Sequence, residues 1–331
     1  MGIFSRKKKW GNFNGNINIY SDLKKSDIPK IIAEDNIHSL QLFQFQNPNR
    51  LTWEILNEFY KKYPDIGLRV VWYECQDLSF YELIPNIRNF TIATYHIKDY
   101  SKLNSNSKLK HFGIEETKSK SVDLSFIKEF KDLESLYVDG MKKGLENIKH
   151  LPSLKTLTFR GVKLDNLDFL TELKKLQELN LRFGSYKNLN SISKLMDLKS
   201  IEFSRVRQIP NFNFLNSLEN LEKIEFEGMS KMESIPDLSK LEKLKRIHIH
   251  NNLRLQNIKL IGEIPNLKLL QLSFAENSKS SERKNLILQS VEILMKSNTI
   301  EYTNIFHWIN DKTTKELTDK GIKMWSWDIK I

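Results

Sequence analysis

Four side chains in the last third of the sequence are of the kinds that bind metals and move protons: Glu225, Glu227, His248 and His250. Carboxylates and imidazoles ligate divalent transition metals, and the same groups serve as general bases and acids. The pairs read Glu-x-Glu and His-x-His, and 23 residues separate Glu225 from His248 by subtraction. Alternation by two puts each pair on one side of an extended strand. If the two strands are neighbours, they stand about 4.8 Å apart, with alternate residues about 6.6–7 Å apart along each. Glu225 then sits beside His248, Glu227 beside His250, and Glu202 on the preceding strand. That square can hold a divalent metal or run acid/base chemistry. It also fits an ordinary polar, ion-paired face that binds a partner. The second reading is the expectation here: no catalytic residue, no metal ligand and no cofactor. No P-loop, Gly-x-Gly-x-x-Gly, Gly-x-Ser-x-Gly, His-Glu-x-x-His or Cys-x-x-Cys sequence accompanies the square.

Whether those strands are neighbours is decided by a repeat. The stretch Leu154-Lys155-Thr156-Leu157-Thr158-Phe159 reads apolar-x-x-apolar-x-apolar, and the frame recurs with first positions Leu40, Leu68, Ile87, Leu109, Leu133, Leu154, Leu176, Leu198, Leu221, Leu244 and Leu267. From Leu109 the steps are 24, 21, 22, 22, 23, 23 and 23 residues. Leu157-x-Phe159 is a strand signal of period two. Upstream, Leu164, Leu167, Leu170, Leu173 and Leu176 follow every third residue, which fits a tight 3₁₀-like turn with one apolar edge. The same edge appears at Ile148-Leu151-Leu154, Ile192-Leu195-Leu198, Leu215-Leu218-Leu221, Leu238-Leu241-Leu244 and Ile261-Ile264-Leu267. Neither half of a coil buries its apolar face alone, so the coils must stack.

This pattern resembles the leucine-rich repeat family, and within it the short bacterial repeats of about 22 residues found in internalins. The resemblance covers Leu40 to Phe274. It implies an α/β fold: a solenoid with parallel strands on a concave face, helical or 3₁₀ turns on a convex face, and small terminal caps. The family carries Asn at the ninth position of the repeat. Here that position reads Met141, Val162, Gly184, Val206, Met229 and Asn252, so only the last conforms.

In this frame the middle outward position reads Gln44, Trp72, Thr91, Gly113, Tyr137, Thr158, Asn180, Glu202, Glu225, His248 and Gln271. The next reads Gln46, Glu74, Ala93, Glu115, Asp139, Arg160, Arg182, Ser204, Glu227, His250 and Ser273. The expected partner-binding set is Trp72, Glu74, Tyr137, Asp139, Thr158, Arg160, Asn180, Arg182, Glu202, Glu225, Glu227, His248 and His250. Trp72 and Tyr137 are aromatics of the kind that anchor interfaces.

The chain of 331 residues carries a net charge of +11. Lys142, Lys143, Lys174, Lys175, Lys194, Lys240, Lys243, Lys245 and Lys268 fall in the turn segments, while the outward strand positions are relatively acidic. A protein partner with a basic or mixed-charge patch is therefore expected. Nucleic-acid binding is not, because no basic patch with interleaved aromatics is visible. The single Cys75 excludes an internal disulfide and favours a reducing, cytoplasmic compartment, with the thiol at a rim or in a loop. The basic start has no apolar run after it, so a signal peptide is not expected. No apolar run reaches the length of a membrane span. Arg6, Lys7, Lys8 and Lys9 suggest a further role, a docking adaptor that touches an anionic surface.

The expected organisation is a flexible basic tail over 1–15, an N-terminal cap over 16–39, about 11 repeats over 40–275, and a C-terminal cap over 282–331. Ile17 and Ile19 suggest an edge strand. A short helix entered through Pro29 would bury Ile31, Ile32 and Ala33. Thr52 would cap a helix to Tyr63 with an inward stripe of Trp53, Leu56, Phe59, Tyr60 and Tyr63. Polar loops are expected over 103–107 and 116–121. After a linker over 276–283, a helix over 285–296 would turn Ile287, Val291 and Leu294 inward. A strand at Ile300 and Tyr302, a helix over 313–320 closed by Gly321, and a strand over 322–329 would follow. The functional expectation is a non-enzymatic scaffold that binds another protein on its concave sheet, with neutralisation of a bacterial toxin or effector as one such role. The alternative is an enzyme that uses Glu225, Glu227, His248 and His250.

Overall fold

The computed structural model describes residues 8–331 apart from 44, 46, 107, 116, 118–121, 277, 328 and 330. Arg6, Lys7, Gln44, Gln46 and most of the loop over 116–121 therefore lie outside the described residues. The chain divides into two compact units, Met1–Leu154 and Lys155–Ile331. Each is built of leucine-rich repeats, with short strands on one side of a coil and 3₁₀ turns or a helix on the other, except between Glu227 and Arg246, where plain turns replace them. The fold class is α/β.

The first unit opens with a hairpin. Strands β1 (Trp10–Phe13) and β2 (Asn16–Ile19) pair antiparallel around Asn14 and Gly15. Both turn residues have left-handed φ, 51° and 82°, as a two-residue hairpin turn requires. Residues 10–13, expected within a loose tail, are thus a strand. Lys9 is also tied down, 2.6 Å from Asp27. Helix α1 (Ile28–Ile32) turns only Ile31 into the core; Ile32 and Ala33 are exposed.

Strands β3 (Ser39–Phe43), β4 (Gly67–Val71), β5 (Asn89–Ala93), β6 (His111–Ile114) and β7 (Ser135–Asp139) then add in parallel order. Helix α2 (Arg50–Lys62) lies between β3 and β4. Its cap is Asn49, not Thr52: the Asn49 carboxamide accepts the Thr52 N–H at 2.8 Å. The Thr52 hydroxyl instead accepts from Leu23 N–H at 3.0 Å and donates to Asp22 at 2.8 Å. Trp53, Leu56, Phe59 and Tyr60 are buried as the helical stripe requires, and Tyr63 stays largely exposed at its end.

The register corrects the repeat frame of the first two coils by three residues. Leu40 and Leu68 pair with each other and then with Phe90. The true middle outward residues are therefore Gln41 and Arg69, followed by Thr91, Gly113 and Tyr137. Trp72 and Glu74 lie beyond the end of β4. Trp72 packs 5.9 Å from the Phe80 ring, and Glu74 stands 3.2 Å from His96. Cys75, expected at a rim or in a loop, lies in the loop after β4 and is buried there, and burial pushes its thiol up to about 11.

The second unit contains β8 (Thr156–Arg160), β9 (Lys163–Leu164), β10 (Glu178–Arg182), β11 (Ser185–Tyr186), β12 (Ser200–Ser204), β13 (Lys223–Glu227), β14 (Arg246–His250) and β15 (Leu269–Ser273). Strands β8, β10, β12, β13, β14 and β15 form one parallel sheet, and β9 pairs with β11 beside it. One inward row runs Leu157, Leu179, Ile201, Ile224, Ile247 and Leu270, and the second runs Phe159, Leu181, Phe203, Phe226, Ile249 and Leu272. Every one of these side chains is buried. The every-third leucines form 3₁₀ turns at Asp168–Glu172, Asn190–Lys194, Asn213–Ser217 and Lys259–Glu263.

Helix α3 (Ser280–Lys296) starts inside the expected linker. It buries Leu286, Gln289, Ser290, Ile293 and Leu294, while Ile287 and Val291 are only half-buried. Strand β16 (Tyr302–Thr303), helix α4 (Asp311–Asp319) and strand β17 (Lys323–Met324) complete the unit. β16 joins β15 and β17 joins β16, both parallel, so the repeat sheet continues into this segment. The strand expected over 322–329 is only these two residues, Lys323 and Met324. Two buried amides fasten the segment. Asn304 accepts from Leu272 N–H at 2.9 Å and donates to Leu272 C=O at 2.6 Å. Gln289 accepts from Ile258 N–H at 2.8 Å and donates to Gln256 C=O at 2.7 Å.

Candidate partner-binding face

The alternation within each strand of the second unit sets the outward rows, and the coil length sets their register. Thr158, Asn180, Glu202, Glu225, His248 and Gln271 are cross-strand neighbours in that order. Beside them run Arg160, Arg182, Ser204, Glu227, His250 and Ser273. The expected square is therefore present, with Glu225 beside His248 and Glu227 beside His250.

The middle row is less open than the sequence suggests. Thr158, Asn180, Glu202, His248 and Gln271 are buried. Arg182 clamps Glu202 with two contacts, Nε–Oε1 at 2.7 Å and Nη2–Oε2 at 2.6 Å. Ser204 donates to Glu227 Oε2 at 2.7 Å. Lys223 Nζ stands 3.1 Å from Glu225 Oε2. Asn180 donates to Thr158 at 3.2 Å and to Glu178 at 2.9 Å. The first unit uses the same device: Arg69 clamps Glu115 at 2.9 and 2.6 Å. Tyr137 and Asp139 are half-buried on β7 of that unit.

Around Glu225 the geometry changes. His248 Nδ1 is 3.7 Å from Glu225 Oε2, and His250 Nε2 is 3.9 Å from Glu225 Oε1. His250 Nδ1 is hydrogen-bonded to Ser273 Oγ at 2.9 Å. The Trp325 ring, just past β17, lies 5.9 Å from the His248 ring. Burial pushes the Glu225 carboxyl up, but His248, Lys223 and His250 together outweigh it and leave the group at about 2. Burial also holds His250 below its ordinary value, against the pull of Glu225.

At the strand ends lies a feature that the sequence reading missed. Each coil from β7 to β14 closes on a left-handed residue: Gly140, Gly161, Phe183, Arg205, Gly228 and Asn251, with φ of 67°, 66°, 55°, 52°, 58° and 55°. Glycine and asparagine suit that backbone, whereas a bulky aromatic is an outlier there. Phe183 is nevertheless 45% exposed. It lies between two guanidinium groups, Arg160 at 5.1 Å and Arg205 at 5.3 Å from the ring centre. A Cβ at Gly228 would meet Arg205 Cγ at 2.8 Å, so the next coil must leave room for the arginine stem. The signal was available: the repeat places Phe183 and Arg205 at the position that reads Gly in the flanking coils.

The family's asparagine position survives once. Asn252 accepts from Met229 N–H at 2.7 Å and donates to Phe226 C=O at 2.9 Å, satisfying the loop backbone of the preceding coil.

No family model matches the chain, and no curated protein matches it. Among solved structures it is similar to an internalin, InlF, from Listeria monocytogenes, at 15% identity over 83% of this chain and 89% of that one, with a TM-score of 0.47. It is similar to the functional domain of InlJ from the same organism at 14% identity, over 77% and 53% of the two chains, with a TM-score of 0.48. A leucine-rich repeat protein from Leptospira interrogans matches at 16% identity over 78% and 90%, with a TM-score of 0.38.

Proposed function

We propose that this leucine-rich repeat chain is a non-enzymatic scaffold that binds a protein partner on the outward sheet face of its second unit. One observation carries the reading: Phe183 is an exposed aromatic in left-handed backbone, between Arg160 and Arg205. Left-handed backbone costs a residue other than glycine about 1–2 kcal/mol, and exposing the ring forfeits its burial. A partner that covers the ring recovers the second cost. Strain held at an exposed aromatic is the mark of a binding position rather than of the core.

The partner's contact patch is proposed to be of mixed charge. Arg205 lines the same depression as Glu202, Glu225 and Glu227, and the first two of these carboxylates are already partly neutralised by Arg182 and Lys223. The adaptor reading loses support, since Lys9 is engaged by Asp27. A bacterial toxin or effector as the partner, and a cytoplasmic setting, are finer proposals. The first rests on the repeat architecture alone, and the second on the single cysteine.

The test is affinity capture from the native cell with the wild-type chain and with Phe183→Gly/Arg205→Gly, read by mass spectrometry. A protein retained by the wild type and lost by the variant is expected. Identical capture by both chains would show that this face is not the binding surface.

A further inference from the structure

We propose that Glu225, His248 and His250 form a binding site for one divalent transition-metal ion of the zinc class. The three offer donor atoms that all lie within 4.8 Å of one another. Two of the separations, 3.7 and 3.9 Å, are too long for hydrogen bonds. They run to the two different Glu225 oxygens, while a tetrahedral zinc site with ligands about 2.0–2.1 Å from the metal has edges of about 3.3 Å. Side-chain rotation that draws the three donor atoms inward closes the site.

A second observation points the same way. His248 is only 6% exposed, its Nε2 is buried with no hydrogen-bond partner among the described residues, and its Nδ1 faces Glu225 beyond hydrogen-bond distance. An ion held by Nδ1 gives this buried imidazole a partner on the side that faces Glu225. His250 is arranged differently but to the same end. Ser273 holds its Nδ1 at 2.9 Å, which fixes the ring and turns Nε2 toward Glu225. Metal-binding histidines are oriented by such a contact on the far nitrogen.

The neighbours limit the donor set. Glu202 is clamped by Arg182, and Glu227 accepts from Ser204, so both flank the site without joining it. Two imidazoles and one carboxylate leave a fourth position for water, as in open zinc sites. The Trp325 ring shields the His248 side. Lys223 is the competitor: its ammonium, 3.1 Å from Glu225 Oε2, must swing away when the cation binds.

The experiment uses the full chain without a histidine-rich tag, stripped with a chelator, desalted and titrated with Co2+. Saturation at one equivalent is expected, with the visible absorption of low-coordinate cobalt, abolished by added Zn2+. The signal should vanish in His248→Gln/His250→Gln and fall at least tenfold in apparent affinity in Glu225→Gln. Lys223→Met should bind several-fold more tightly. Circular dichroism and melting check that each variant is folded, and if the double variant is not, His250→Gln alone decides. Absence of saturable binding by the wild type, or undiminished binding by a folded histidine variant, overturns the site. Partner capture by the metal-stripped chain is a separate readout, so failure here leaves the scaffold reading standing.

Discussion

The Phe183 ring and the Arg205 guanidinium, on successive coils, face each other at 5.3 Å, and both residues have left-handed backbone, φ 55° and 52°. Glycine relieves that strain. Phe183→Gly and Arg205→Gly should each raise stability by about 1 kcal/mol, after loss of the cation–π contact, and each should raise the melting temperature. Thermal melts of the two variants are the measurement. A drop in both would show that the backbone is comfortable as it stands.

Leu179 is fully buried between Leu157 and Ile201 on the neighbouring strands. Leu179→Asp places a carboxylate there with no partner. A loss of about 4 kcal/mol or more is expected by denaturant titration. Coils contact only their neighbours, so hydrogen exchange should show protection failing first around β10.

Asn304→Ala leaves the N–H and C=O of Leu272 without their partners. Each orphaned buried group costs about 1–3 kcal/mol, so this single change should destabilise by at least about 2 kcal/mol. Removing residues 282–331 should go further and expose the apolar edge of the last repeat. Light scattering on that truncated chain should find aggregates. A stable monomer would mark the segment as a separate module rather than a cap.

Glu225 sits at about 2, against an ordinary 4.5. Its folded-state value is depressed, so the stability it contributes is present above about pH 4.5 and lost as pH falls toward 2. The loss should be no more than about 3 kcal/mol. Comparing acid unfolding of the wild type with that of Glu225→Gln isolates it: the variant's curve should be flatter through this window. Parallel curves would mean that the carboxylate is not held down.

Once a partner is captured, Glu202→Lys/Glu225→Lys/Glu227→Lys should weaken its binding, and added salt should slow its association. Lys174→Glu/Lys175→Glu, on the turn side, should leave binding unchanged. The opposite pattern in a surface-binding assay would move the site to the turns.

The period-two alternation and the 22- to 23-residue steps were enough to place Glu225 beside His248 in the second unit. The same reasoning slipped by three residues at β3 and β4. Leu40-x-Leu42 and Leu68-x-Val70 are the strand alternation itself, whereas in the later coils the marker leucine precedes the strand by three residues. Trp72 and Glu74 entered the expected face through that slip. The burial of Thr158, Asn180, Glu202 and His248 was not legible, because alternation sets which side a residue faces and not what covers it. Phe183 was legible in principle. Aligned coil by coil, it stands where Gly161 and Gly228 stand, and a phenylalanine at a glycine position is a backbone signal. Strand β1 lies inside the expected flexible tail over 1–15, although Asn14-Gly15 is a strong hairpin signal.

The ends of the sheets have a consequence for concentrated solutions. A stack of identical-looking coils invites a second molecule to add on where the first one stops, and repeated addition makes a fibre. Among the described residues, β1 pairs only with β2 and β17 only with β16. The first presents an antiparallel edge of four residues, Trp-Gly-Asn-Phe, and the second a parallel edge of two, Lys323–Met324. Neither edge repeats the five-residue rhythm of the strands Thr156–Arg160 or Ser200–Ser204. A newcomer's strand meets four residues at the one edge and two at the other, fewer rungs than a strand of the repeat offers.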